Sequence, residues 1–372
     1  MARGPDIAVV IPTRERWPVL RRTLEALAAQ ELGELRAEVV VVDNGSLDGS
    51  LEQLRAHAHE SAAVRVFEEP IRGAAAARNR GIAEALAPLV LFLGDDCVPA
   101  GADLVLGHAE AHSGAGPVRA VAGGIEWDPS LPRTRTMDWL ERAGHMVDLA
   151  RLRGGAASAE TFYTGNVSIP RAALLEVAGF DQRFAGYGFE DLDLGLRLAD
   201  RGVGFQHRPD LLVRHAHSYG FGESVERMEA VGRGARLLHR LHDHRRPLPG
   251  PPAGRRRLAA GLALGPLRRF EPPPLLPSRA IDLWLRAAHL AAFAHGYTGP
   301  ELPSEAALRG YGAVPRSSDQ PRPDVSVVVP FLGDAAAARD TLAQIGQLRM
   351  GPGDEAILVD NGGTVGQAAG TA

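Results

Sequence analysis

The sequence predicts an α/β protein whose first part is a three-layer domain built on a mostly parallel sheet. Three observations point there. Short apolar, β-branched runs at 7–11, 39–42 and 89–93 lack polar alternation, as buried parallel strands do. Segments of helical period lie between them, and each run ends in turn formers or acids.

Taken in order, Ile7 to Ile11 is the first strand, and helix-spaced Leu20, Leu24 and Leu27 mark a helix over 17–32. Val39 to Val42 is the second strand, closed by the turn string Asp43-Asn44-Gly45-Ser46. After another helix come a short strand at 64–67, a helix over 74–86 and a strand at 89–93 that ends in Gly94-Asp95-Asp96. In open α/β sheets ligands bind beyond the carboxyl ends of the strands, where Pro12-Thr13-Arg14, Asp43-Asn44 and Asp95-Asp96 all fall. A helix starts near Glu190-Asp191 and stops at Gly202, and 223–245 reads as a basic helix. Residues 247–277, rich in Pro, Gly and Arg, read as a linker, and 281–295 as a helix with an apolar stripe. That stripe is expected to pack on the first domain or to form a homodimer contact. Arg255-Arg256-Arg257 reads as a solvated linker, with contact to anionic lipid the rival.

The last fifty residues repeat the first. Asp6-Ile-Ala-Val-Val-Ile-Pro12 returns as Asp324-Val-Ser-Val-Val-Val-Pro330, and Glu38 to Gly45 returns as Glu355 to Gly362 at a nearly constant offset. The counterpart of Asp95-Asp96 would fall past Ala372, so this copy is expected to be a truncated start. The expected domains are therefore 1–222, an extension over 223–313, and 324–372.

Composition bounds the function. A net charge of −4 gives no electrostatic case for nucleic acid. All 41 basic residues are arginine, which coding bias explains better than phosphate recognition. One cysteine, Cys97, excludes an intramolecular disulfide and suits a reducing compartment. No run of about 18 apolar residues exists, and the start of the chain is not a secretory signal. The expected location is cytoplasmic, with the inner face of the membrane left open.

Several constellations carry chemistry. Asp43 ends a buried strand, where its carboxylate would accept the imide N–H of a pyrimidine base or simply cap its own turn. Gly73 before Ala74 to Ala77, Arg78 and Asn79 puts small residues and a guanidinium fork at a helix start, suited to phosphates or to close packing. Asp95 and Asp96 concentrate negative charge at a ligand edge, which favours a cation such as Mg²⁺ or Mn²⁺. Glu190 and Asp191 open a helix whose N-terminus stabilises carboxylates, as a general base or as a cap. His215 and His217 share one side if extended, and one of them could complete a metal site.

Read together, these strings resemble the family-two inverting glycosyltransferases of the GT-A fold. The resemblance rests on Val9-Val-Ile-Pro-Thr13, Asp43-Asn-Gly-Ser46, Gly73 with Ala76-Ala-Arg-Asn79, and Phe92-Leu-Gly-Asp-Asp96. It continues through Thr164-Gly165-Asn166, Gly179-Phe-Asp181, Gly188-Phe-Glu-Asp191 with Asp193 and Arg197, and His215. It implies a nucleotide-sugar-binding domain with a UDP- or dTDP-sugar donor and a glycan, lipid-linked or small-molecule acceptor. Pro12, Thr13, Arg14, Asp43, Asn44, Gly73, Arg78, Asn79 and Asp95 would bind the donor. Asp96, with His215, would hold Mn²⁺ or Mg²⁺, and Asp191 beside Glu190 would deprotonate the acceptor. Thr164, Gly165 and Asn166 would line the donor-sugar and acceptor side, with acceptor recognition expected within 155–163 and 187–189. Many relatives carry an acid where this chain has Gly94, which favours a rival reading as a degenerate nucleotide-sugar or glycan-binding scaffold. A nucleotidyltransferase would need a Gly-rich triphosphate loop after the first strand, and Pro12-Thr13-Arg14-Glu15 is not one. Trp127 and Trp139 are expected in the core rather than stacked on a sugar.

Overall fold

The computed structural model describes residues 4–143, 157–242 and 263–299, apart from 62, 115, 185, 187 and 274, and the backbone of strands at 326–331 and 355–360. Residues 155–156, Tyr187 and Arg255 to Arg257, singled out above, lie outside the described residues. Two compact units divide the chain, Met1–Pro315 and Arg316–Ala372.

The first unit is built on an eight-stranded sheet. Strands β1 (Ile7–Thr13), β2 (Ala37–Asp43), β3 (Val64–Glu68) and β4 (Leu89–Leu93) form its parallel half, joined by helices α1 (Trp17–Ala28), α2 (Ser50–Glu60) and α3 (Ala74–Glu84). The other half contains β5 (Cys97–Pro99), β6 (Arg119–Trp127), β7 (Asn166–Pro170) and β8 (Gly204–His215). The order across the sheet is β3-β2-β1-β4-β7-β6-β8-β5. Only β7 and β5 run against the rest, so the sheet is mostly parallel, as the sequence predicts.

Alternation within each strand separates two cores. Val10, Val40, Val90 and Phe92 face α3 and the helix α7 (Glu190–Asp200). Val9, Val41, Leu91 and Leu93 face α1, α2 and α4 (Leu104–Glu110). Gly81 lets α3 approach β1 closely, because a Cβ there would collide with Val10. Helix α1 ends at Ala28 rather than 32, and Glu31 then donates its N–H to Ala102.

A third core joins α5 (Arg135–Ala143) to the long helices α8 (Phe221–Leu241) and α9 (Ser278–Thr298). Trp127 and Trp139 are buried within it, among Met137, Tyr219, Val225, Ile281 and Leu285. Helix α9 thus packs on residues of the expected first domain, among them Trp127, Trp139 and Tyr219, the first of its two expected roles. It crosses α8 where Gly232 meets Phe293 and Gly296 meets Glu229, close enough that a side chain at either glycine would strike backbone. Short helix α6 (Arg171–Glu176) follows β7 directly.

In the second unit, β9 (Ser326–Phe331) pairs in parallel with β10 (Glu355–Asp360), Pro330 opposite Val359 and Phe331 opposite Asp360. In the first unit Pro12 lies opposite Val42 and Thr13 opposite Asp43, the same register at the repeated positions.

Candidate active site

Strand register decides which side chains meet at the carboxyl edge of the sheet. Thr13 and Asp43 are partners at the ends of β1 and β2. Cys97 of β5 lies opposite His215 of β8, and this pairing brings Asp96, one residue earlier, to His215. The carbonyl of Asp96 then accepts the Ala216 N–H at 2.7 Å.

Adjacent buried carboxylates repel, and the fold treats the two differently. Thr13 Oγ1 donates to Asp95 Oδ2 at 2.9 Å, and Thr23 Oγ1 donates to the Asp95 carbonyl at 2.8 Å. Burial, and then the charge of Asp96, push the Asp95 carboxyl up to about 7. At Asp96 burial works in the same direction, but His215 and Arg16 outweigh it and hold the carboxyl below its ordinary value. Asp96 Oδ2 lies 2.6 Å from Arg16 Nη2 and 3.4 Å from His215 Nε2. Arg16 Nη1 also reaches Asp95 Oδ1 at 3.2 Å.

Burial holds the His215 imidazole below its ordinary value against the pull of Asp96, and the ring offers an ion a lone pair once its proton is gone. Its plane is nearly parallel to that of Tyr219, with centroids 6.0 Å apart. Its Nδ1 is buried with no hydrogen-bond partner among the described residues. An ionised carboxylate and a neutral imidazole suit Mn²⁺ or Mg²⁺. Two ligands each about 2.1 Å from one ion, at a right angle, stand about 3 Å apart, close to the separation seen here. Among the described residues no three His, Cys, Asp or Glu side chains converge as a preformed cage. An ion held here would draw its remaining ligands from phosphate and water.

Across the site, Gly188 (φ 100°) and Phe189 (φ 73°) bend the backbone through the left-handed region into α7. Glu190 is thereby buried: its Oε2 accepts the Gly188 N–H at 3.0 Å and its Oε1 accepts Arg78 Nη1 at 2.9 Å. Asp191 Oδ1 accepts its neighbour Leu192 N–H at 2.8 Å, and the side chain keeps some exposure. Burial and then Glu190 push the Asp191 carboxyl up to about 7, against the pull of Arg78. The Arg78 charge acts on Asp95 as well as on Asp191, so this guanidinium lies within electrostatic reach of both. Its Nε is buried with no partner among the described residues.

Other predicted site residues spend their polar groups on the fold. Asp43 accepts the N–H groups of Gly45 and Ser46 and the Ser46 hydroxyl, the turn-capping geometry. Asn44 donates to the carbonyls of Glu69 and Ile71 and accepts the Gly73 N–H, holding the loop before α3. Asn79 exchanges two hydrogen bonds with the backbone of Phe180. Asn166 donates to the carbonyls of Gly124 and Leu211, and its Oδ1 pairs with His108 Nε2. With both amide hydrogens committed inside the sheet, the Asn166 side chain braces the fold. Thr164 is buried, while Gly165 accepts the Gly94 N–H at 3.2 Å, so only backbone of this string reaches the strand end. Pro12 and Arg14 are partly exposed, and the Arg14 Nε is buried without a partner.

Gly94 has a steric reason: a Cβ there would stand 2.8 Å from Cys97 Sγ and 3.1 Å from Asp96 Oδ1. Three participants escaped the sequence reading: Arg16, Glu223, and His217 in its actual role. Arg16 Nη2 donates to His217 Nδ1 at 3.1 Å, which places the ring proton on Nε2, 2.5 Å from Glu223 Oε1. The signal available was a second arginine two residues past Arg14.

Comparison with known proteins adds the following. Residues 8–148 match the family described as Glycosyl transferase family 2, and residues 145–221 match the N-terminal domain of galactosyltransferase. Validoxylamine A glucosyltransferase of Streptomyces hygroscopicus subsp. limoneus is 35% identical over 222 residues, covering 54% of this chain and 49% of the relative. Pre-mycofactocin glycosyltransferase of Mycobacterium tuberculosis (strain CDC 1551 / Oshkosh) is 28% identical over 243 residues, covering 64% of this chain and 48% of the relative. The chain spans about half the length of the curated relatives it matches. Among solved structures, mannosyltransferase PcManGT of Pyrobaculum calidifontis in complex with GDP-Man and Mn²⁺ superimposes with a TM-score of 0.50 at 20% identity, over 83% of this chain and 79% of that one.

Proposed function

From the premise that this chain carries a family 2 glycosyltransferase domain, we propose that it transfers a sugar from a nucleotide diphosphate donor to an acceptor hydroxyl with inversion. The observation that carries this reading is the meeting of Asp96 and His215 at the strand ends, with Asp96 Oδ2 3.4 Å from His215 Nε2 and so within one ion's reach.

The donor is a UDP- or dTDP-sugar, with Asp43 nearest its base once the turn at 43–46 adjusts. Asp96 and His215 hold Mn²⁺ or Mg²⁺, which when bound stabilises negative charge on the leaving diphosphate. Arg78 offers its uncommitted Nε edge to the same phosphates. Asp191 takes the proton of the acceptor hydroxyl as its oxygen bonds to the anomeric carbon. The bond from that carbon to the diphosphate breaks, and its electron pair leaves with the nucleotide. Attack and departure on opposite faces invert the configuration. The acceptor is a glycan, a lipid-linked sugar or a small molecule. No helix among the described residues is long and apolar enough to cross a membrane, and contact with a membrane surface or a second copy would be peripheral.

Titration calorimetry of UDP, dTDP and GDP with and without Mn²⁺, on the parent and on Asp96→Ala, tests the reading. Metal-dependent binding that the substitution abolishes supports it, and binding indifferent to both metal and Asp96 overturns it. Gly94 favours a second reading, a scaffold that binds without turnover, because Cys97 fills the room for an acid there. Nucleotide binding with Asp191→Asn fully able to replace the parent in cells would select that reading.

A further inference from the structure

Among the described residues that contact the acid pair, only Arg16 is a permanently charged cation, and the proposed function leaves it unused. It is the residue before α1, where its carbonyl accepts the N–H groups of Val19 and Leu20. The backbone is therefore fixed, and the long side chain alone reaches Asp95 and Asp96. Its side chain remains one-third exposed (33%), so a path to solvent is open.

We propose that Arg16 is an exchangeable resident cation, neutralising Asp95 and Asp96 while the donor is absent and moving to the donor diphosphate when a divalent ion takes its seat. This rests on the donor-site reading above. Asp96 Oδ2 is shared between Arg16 Nη2 at 2.6 Å and His215 Nε2 at 3.4 Å. An ion ligated by that oxygen at about 2.1 Å would sit within about 5 Å of the guanidinium nitrogen. Like charges at that range, in a site screened from water, oppose each other strongly. One of the two cations must give way. Arginine can do so without being lost to the site, since its planar fork matches phosphate oxygens as well as it matches carboxylates.

The holding contact is built to release. Arg16 donates to His217 Nδ1, and His217 Nε2 donates to Glu223 Oε1. Those two side chains are 29% and 47% exposed, so the latch lies on the rim, where water replaces a broken contact at little cost. Glu223 belongs to α8, so the latch ties the loop after β1 to the helical part of the unit.

The test is Mn²⁺ alone, titrated into the full chain and followed by the paramagnetic resonance signal of the free ion. Arg16→Gln is expected to bind Mn²⁺ about tenfold more tightly than the parent, because a competing charge is gone. Glu223→Gln, which loosens the latch without touching the acids, is expected to shift affinity the same way by a smaller factor. With UDP present, Arg16→Gln is expected to hold the nucleotide–metal complex about tenfold more weakly, having lost a diphosphate ligand. If Arg16→Gln does not fold, the Glu223→Gln shift decides. Mn²⁺ affinity unchanged or lowered in the arginine variant, or in Glu223→Gln where that one decides, while Asp96→Asn abolishes binding, overturns this proposal and leaves the donor-site reading standing. Mn²⁺ binding indifferent to Asp96→Asn overturns both.

Discussion

Asp191 illustrates how much a residue's role depends on its immediate electrostatics. Its carboxyl is pushed up to about 7 by burial and by Glu190, so near neutrality a substantial share carries a proton and cannot accept another. Turnover is therefore expected to rise with pH through about 7 and to level off above it, and a pH–rate profile checks this. Asp191→Asn should lower kcat by roughly 10²–10⁴ while leaving nucleotide affinity in place. The positions of Asp95, Asp96, Asp191 and His215 at strand ends or a helix start were legible in the sequence, because local pattern marks those places. Asn79 and Asn166 have partners that were not legible, for the opposite reason. Their polar atoms answer to Phe180, His108, Gly124 and Leu211, partners that only the folded chain brings together. Arg16 was hidden among many arginines that composition alone explained.

At the level of elements, the strongly periodic or continuously apolar segments came through with their boundaries nearly right, whereas β6 and β7 did not. β6 carries Gly123 and Gly124 at an irregularity in its pairing with β8, so its apolar pattern is broken. Those glycines are needed: a Cβ on Gly123 would collide with the Asn166 amide and the Leu211 carbonyl. The same kind of close approach links helix to loop at the base. Gly234 of α8 lies against the Gly188 carbonyl, in the bend that delivers Glu190 and Asp191. Gly234→Ala is expected to displace that bend and, if Asp191 acts as proposed, to cut kcat by up to about 10²-fold while nucleotide affinity holds. Single-turnover rates beside calorimetry separate the two effects.

For the molecule as a whole, acid stability follows from a buried polar network. His108 and His112 share the Ser168 hydroxyl at 2.8 Å each, and burial lowers both imidazoles to about 4. Unfolding returns them toward their ordinary 6.5, so between pH 4 and 6.5 the unfolded chain binds more protons. Stability is then complete above about 6.5 and lost as pH falls toward 4. Urea denaturation midpoints across that range are expected to fall, and His108→Gln should flatten the slope. The mostly parallel sheet was legible at this scale from strand–helix alternation, but the pairing of β5 with β8 was not, since no local pattern encodes it. That pairing also has a consequence in time. The proposed ion-binding pair, Asp96 and His215, lies on either side of β6, α5 and β7 in the chain, so it cannot assemble until those segments are in place. Loops of that length close slowly, which makes this corner of the sheet among the last to become native. On the proposed function, a newly made chain is expected to form its parallel strands before it can hold an ion.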